Sequence, residues 1–87
     1  MKRLVAIWLP CKLANGVYCL IPLFDGKSSA VDRARRLLRA DKVIVGPPCL
    51  KKPPAKRALM KLGATEAEAL RAEVVKLSWW QVKPETD

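Results

Sequence analysis

Residues 28–45 read SSAVDRARRLLRADKVIV, and this stretch decides the organisation of the chain. Ser29 followed three residues later by Asp32 is typical of a helix start, because the serine oxygen can accept an unpaired backbone N–H and an acid is favoured in the first turn. Apolar residues recur at helical spacing in one stripe, Ala30, Val31, Ala34, Leu37 and Leu38. The stretch therefore predicts an amphipathic helix with one buried face.

The other side of this helix carries Arg33, Arg35, Arg36 and Arg39. Four like charges within two turns repel one another unless counter-charge comes from outside the helix. The planar guanidinium group donates two parallel hydrogen bonds and so suits phosphate. The helix is therefore predicted to bind an anionic partner.

The basic region continues beyond the helix, and Asp41 is its only acid. Its ten members, the candidate RNA-binding residues, are Arg33, Arg35, Arg36, Arg39, Lys42, Lys51, Lys52, Lys56, Arg57 and Lys61. We expect one basic surface from the arginine helix through a proline-rich arm into the next helix. Phosphate contacts give affinity and position but little sequence choice, and no helix-turn-helix, RRM or KH consensus is present.

Length and charge limit the class of protein. The chain has 87 residues and a formal net charge of +9, which fits a single small domain over residues 1–87. Residues 1–62 contain 14 basic and 3 acidic residues, a balance of +11, whereas residues 63–87 contain 3 and 5, a balance of −2. Clustered positive charge favours nucleic acid, an anionic membrane or an acidic protein as partner.

Residues that usually form catalytic, metal or phosphate-binding sites are sparse in this sequence. There are three cysteines (Cys11, Cys19 and Cys49), no C-x-x-C pair and no histidine, which disfavours a zinc site and Ser-His or Cys-His catalysis. No glycine-rich phosphate loop is present. We therefore predict a protein that is not an enzyme, with no cofactor, metal or small-molecule substrate. The odd cysteine count favours a reducing intracellular compartment.

Residues 4–24 form a long apolar run with three interpretations. A transmembrane helix would be long enough, but Lys12 near its middle would cost about 2.5–3.5 kcal/mol on insertion. A secretory signal is disfavoured because only six apolar residues precede Pro10. The third interpretation is a β-hairpin or an extended apolar segment within residues 1–26, with strands 4–9 and 17–21 joined through the Asn15-Gly16 turn signal. We favour the third.

The arginine helix is followed by two linking segments. Residues 43–45 are β-branched and suit a short strand. Residues 46–54, GPPCLKKPP, contain four prolines and predict an extended connector. The connector is either a basic arm that lies along a groove or a stiff linker with solvated lysines.

A helical hairpin is predicted over residues 55–80. Pro54 precedes a helix over 55–62 that Gly63 ends, and Thr65 with Glu68 forms a capping box for a helix over 65–77. The predicted apolar faces are Ala55, Ala58, Leu59 and Leu62 in the first helix, and Ala67, Leu70, Val74 and Leu77 in the second. Trp79 and Trp80 suit either base stacking or an interface with protein. The chain is thus predicted to be a small, mostly helical α+β fold.

The sequence also resembles a known family over about residues 15–45. GVYCLIP at 16–22, Arg36-Leu37 and DKVI at 41–44 are similar to a mitochondrial large-ribosomal-subunit protein family with a GGLLWKIPWR signature and an arginine-rich RLRxVDxVI helix. Leu23-Phe24 stand where that family has Trp-Arg, and its basic C-terminal portion has no counterpart after residue 46. The resemblance implies binding of rRNA in a mitochondrial ribosome.

The expected function is therefore a structural ribosomal protein of the large subunit, with rRNA and neighbouring ribosomal proteins as its partners. The expected location is the mitochondrial ribosome, and a membrane partner is disfavoured. Two alternatives remain open. One is a single-pass accessory subunit of a membrane complex with residues 4–24 in the bilayer, and the other is a small DNA-binding or inhibitor protein.

Overall fold

A β-hairpin built from the apolar N-terminal run forms the middle of the fold. The computed structural model describes residues 4–76, and in it β1 spans Ile7–Lys12 and runs antiparallel to β2, Tyr18–Leu23. Gly16 adopts φ 89° in the connecting turn, and Oδ1 of Asn15 accepts a backbone N–H at 3.0 Å. The predicted hairpin is confirmed, with both strands displaced toward the C-terminus.

Two short strands extend the hairpin into a four-stranded sheet. β3, Ile44–Val45, pairs antiparallel with β1, and β4, Glu73–Val74, pairs parallel with β2. The strand order is β3-β1-β2-β4. The predicted strand after the arginine helix is thus confirmed, whereas β4 occupies residues that were predicted to be helical.

Both faces of the central hairpin are buried, which explains the continuous apolar run. Successive side chains of a strand point to opposite faces, so Leu9 and Ile21 lie on one face and Leu20 on the other. All three are completely buried. A strand covered on both faces reads as an unbroken apolar run rather than as an alternation.

No helix within residues 4–76 has the length and apolar character needed to cross a bilayer. The interpretation of residues 4–24 as a spanning helix is replaced by the hairpin.

The arginine helix, α1, spans Ser28–Ala40 and covers one face of the sheet. Its buried residues, Val31, Ala34 and Leu38, belong to the predicted apolar stripe. The predicted cap at Ser29 is wrong, because Lys27 is the N-cap residue and its carbonyl oxygen accepts the first helical N–H groups at 3.0–3.1 Å. The helix therefore begins two residues earlier than predicted, without a side-chain cap.

The proline-rich segment is shorter and more firmly held than predicted. Its first part follows the edge of β1, where Trp8 and Cys49 exchange backbone hydrogen bonds at 2.7 and 2.9 Å. The second helix, α2, spans Lys52–Lys61 and takes in Pro53 and Pro54. Proline fits there because the N–H groups of a first helical turn have no partner within the helix. The extended connector thus ends at residue 51 rather than 54.

A third helix, α3, spans Glu66–Arg71 and packs beside α2 on the other face of the sheet. The predicted capping box is confirmed, since Thr65 Oγ1 accepts the Glu68 N–H at 3.2 Å and Glu68 Oε1 accepts the Thr65 N–H at 2.9 Å. Gly63, at φ 113°, lies between the two helices. Ala55, Ala58 and Leu59 are the buried residues of α2, as predicted.

The predicted length and apolar face of α3 are wrong. The helix stops at Arg71 because the following residues pair with β2, where the Leu20 carbonyl accepts the Val75 N–H at 2.9 Å. The exposed fraction of Leu70 is 66%, and Ala69 is the residue that packs inward. Other predicted stripe members, Ala67 and Val74, are also exposed. Leu77, Trp79 and Trp80 lie outside the described residues.

The α+β class is confirmed, but "mostly helical" is wrong. Helices of 13, 10 and 6 residues flank a central sheet, with α1 on one face and α2 and α3 on the other. Because hairpin residues contribute to the buried clusters on both faces of the sheet, the hairpin forms the middle of the core rather than an appendage.

Candidate nucleic-acid interface

The outer surface of α1 concentrates positive charge. Arg33, Arg36 and Arg39 are exposed and Arg35 is half-buried. Asp32, Arg35, Arg36 and Arg39 follow the spacing i, i+3, i+4, i+7, which places them in one row along the helix. Together they line an open depression of about 350 Å³. The surface is a shallow cationic trough rather than an enclosed site.

The arginines of α1 form no ion pair among the described residues, although the Asp32 carboxylate lies in the same row. Within residues 4–76, none of the four guanidinium groups forms an ion pair or a side-chain hydrogen bond. The Nε atom of Arg35 is shielded from solvent and has no acceptor among the described residues. An unsatisfied buried donor costs about 1–3 kcal/mol. The exposed guanidinium groups of Arg36 and Arg39 are the donors that an external anion can reach.

A second group of cations lies on α2. Lys52, Arg57 and Lys61 are exposed, and the helix contains no acid. Lys56 is half-buried, and its Nζ donates to the Leu70 carbonyl at 3.1 Å. The Nζ of Lys52 lies 5.6 Å from the centre of the Trp8 ring. Lys52 and Lys56 are therefore held partly by the protein itself, whereas Arg57 and Lys61 are free of such contacts in the described part of the chain.

The two cationic helices lie on opposite sides of the sheet. The apolar face of α1 packs with Leu9 and Ile21, whereas Ala55 and Leu59 of α2 pack with Leu20. Since each helix turns its apolar face to the sheet, their charged faces point away from each other. Lys42 and Lys51 are exposed on the connecting segments beside β3. The ten predicted residues therefore divide between two surfaces instead of forming one.

An apolar groove that was not predicted from the sequence lies between α2 and α3. It has a volume of about 490 Å³, and Met60 and Leu70 are its exposed apolar residues, at 46% and 66%. Leu70 was assigned to a buried stripe because its helical spacing matched one. The neighbouring Ala69 could have indicated that Leu70 is exposed. A helix that packs closely against another favours a small residue at the contact, and Ala69 is that residue in α3.

Two of the three cysteines lie in the core beneath α1. Cys11 and Cys19 are completely buried, and Cys49 is half-buried at the edge of the sheet. The hydrogen-bonding thiol of Cys19 raises the pKa of Cys11, and burial raises it further. Within residues 4–76, no three cysteine, aspartate or glutamate side chains are grouped as a metal site would require.

Comparisons with family models, curated proteins and solved structures find no match to this chain. The features that bear on function are therefore the charge and geometry of the α1 surface and the resemblance over residues 15–45.

Proposed function

We propose that the protein is a non-catalytic structural subunit of a ribosome that binds rRNA, with α1 as its principal contact. The observation that carries the proposal is a trough lined by three arginines, none of which forms an ion pair within the described residues. In water, each like-charged pair spaced three or four residues apart costs a helix about 0.2–0.5 kcal/mol. Phosphate would remove this repulsion and accept charge-assisted hydrogen bonds, each about twice as strong as a neutral one.

The ribosomal part of the proposal is supported by the resemblance over residues 15–45. That stretch covers β2, α1 and β3, so it includes the helix that presents the trough. On this basis the particle is the mitochondrial large subunit, and neighbouring ribosomal proteins are the other partners. Exposed apolar residues such as Met60 and Leu70 suit contact with protein.

The binding test uses a fluorescein-labelled 16-base-pair RNA duplex and anisotropy at several salt concentrations. The variant Arg36→Gln/Arg39→Gln should weaken binding about tenfold and lower the dependence of log K on log salt by about 2, because each phosphate contact contributes a slope near one. Arg71→Gln/Lys76→Gln is the matched control, since it removes the same charge from exposed residues that are not part of α1. Equal affinities of all three proteins would contradict the proposal.

Two further measurements separate the alternatives. Co-sedimentation with large ribosomal subunits in high salt, with RNA crosslinks at the α1 arginines, is expected for a ribosomal subunit. A free protein without crosslinks would argue against it. A DNA duplex of the same length serves as competitor, and tighter binding of DNA than of RNA would favour the DNA-binding alternative.

A further inference from the structure

We propose that the protein joins two separate RNA segments, one held by α1 and the other by α2. This inference rests on the proposed RNA binding and adds its geometry. The α1 surface is represented by Arg33, Arg36 and Arg39, and the α2 surface by Lys51, Arg57 and Lys61, all of which are exposed. The protein would act as a spacer between the two segments.

The layer order of the fold is the first argument. The sheet separates the two helices, because α1 packs on the face that contains Leu9 and α2 on the face that contains Leu20. Packed layers of secondary structure lie about 10 Å apart, so the two helix axes are about 20 Å apart across the sheet. A straight segment that lies on one surface cannot reach the opposite one.

The distribution of charge is the second argument. Both helices carry cations on the outer side and have no acid in the first turn. At 100° per residue, Arg57 and Lys61 lie 40° apart and opposite the buried Ala55 and Leu59. They therefore point outward, as the arginines of α1 do in the other direction. Two outward cationic faces on one small body suit two polyanions rather than one.

The apolar groove does not occupy the whole of the α2 surface. Lys56 and Met60 lie on the flank of α2 that turns toward α3, where Lys56 donates to the Leu70 carbonyl. Of the three residues that represent the α2 surface, Lys51 and Lys61 do not line this groove, whereas Arg57 does. The outer flank remains a polar, cationic surface, on which phosphate is the fitting ligand.

The test measures whether one chain holds two duplexes. A biotinylated 16-base-pair RNA duplex on beads is incubated with the protein and with a free fluorescent copy of the duplex. The wild type should retain the fluorescent duplex on the beads. Retention should fall again at excess protein, because each duplex is then bound by a separate protein chain. The two matched variants, Arg33→Gln/Arg36→Gln/Arg39→Gln and Lys51→Gln/Arg57→Gln/Lys61→Gln, should each still bind a duplex in solution but reduce bead retention at least about tenfold.

A mixture of the two variants excludes bridging by a dimer. If two chains joined through protein contacts produced the retention, a mixed dimer would offer one intact surface of each kind and retention would return. We expect no recovery. Recovery of retention in the mixture would overturn the inference. Full retention by the α2 variant would also overturn it, and would indicate that the α2–α3 face binds a protein instead. A wild type that binds no duplex at all would instead refute the proposed function.

Discussion

Cys11 and Cys19 are directly opposite each other in the β1–β2 ladder, and both side chains are completely buried beneath α1. The Cys11 thiol donates to the Leu9 carbonyl at 3.5 Å. The two thiols therefore behave as small core residues whose reactivity depends on opening of the structure.

Thiol labelling should distinguish these cysteines from Cys49. At pH 8, iodoacetamide is expected to modify Cys49 first, because it is half-buried at the sheet edge. Cys11 should stay unmodified, because the raised pKa keeps its thiol protonated and α1 blocks access. Mass spectrometry of timed digests is the measurement. All three cysteines should react alike in 6 M guanidinium, and equal rates in buffer would contradict the buried pair.

Gly63 should be intolerant of a side chain for two separable reasons. Its φ of 113° disfavours any L residue, and an added Cβ would lie 3.0 Å from the Tyr18 hydroxyl oxygen. Gly63→Ala is expected to lower the free energy of unfolding in urea by about 1–3 kcal/mol. Gly16→Ala is the control, since its φ is also positive but the new Cβ would have no neighbour within 4 Å. Adding Tyr18→Phe should recover part of the loss only for Gly63→Ala.

Loss of a hydroxyl group should destabilise the protein at the start of α3 but not at the start of α1. Thr65→Ala removes the acceptor of the Glu68 N–H and should destabilise the protein by about 1 kcal/mol. Ser29→Ala should change stability by less than about 0.5 kcal/mol, because Ser29 is exposed and α1 has no side-chain cap. Thermal and urea unfolding of both variants tests the comparison. A larger loss of stability for Ser29→Ala would indicate that Ser29 does cap α1, as expected from the sequence.

Removal of Asp32 should strengthen RNA binding. This carboxylate lines the trough with three arginines but forms no ion pair within the described residues, so it repels an incoming phosphate. Opposite or like charges interact by about 1 kcal/mol or less at 4 Å in water, so Asp32→Asn should raise affinity up to roughly fivefold at low salt.

Asp25→Asn is the matched control for Asp32→Asn. It changes the net charge equally, and its amide oxygen can still accept the Lys27 N–H that Asp25 accepts at 2.9 Å. Equal affinity gains in both variants would show that net charge, not the trough, controls binding.

Sequence patterns predicted correctly those turns and helix ends that are stabilised by contacts between residues close in the chain. The Asn15-Gly16 turn and the Thr65–Glu68 capping box form as expected, because each depends on hydrogen bonds between residues only two or three positions apart. The buried face of α1 also follows from its sequence, since one apolar stripe can face only one core. Leu70 shows the limit, because its helical spacing fitted a stripe that α3 does not bury.

The sequence by itself determined the amphipathic arginine helix, the hairpin turn, the helix boundary at Gly63 and the concentration of arginines on α1. Only the tertiary structure decided which side of the sheet each helix covers, and therefore that the basic residues of α1 and α2 point in opposite directions. It also decided that residues 73–74 join β2 as a strand instead of extending α3. The physical reason is the same in both cases. Pairing and layer order depend on contacts between residues distant in the chain, which compete with local preference and here outweigh it.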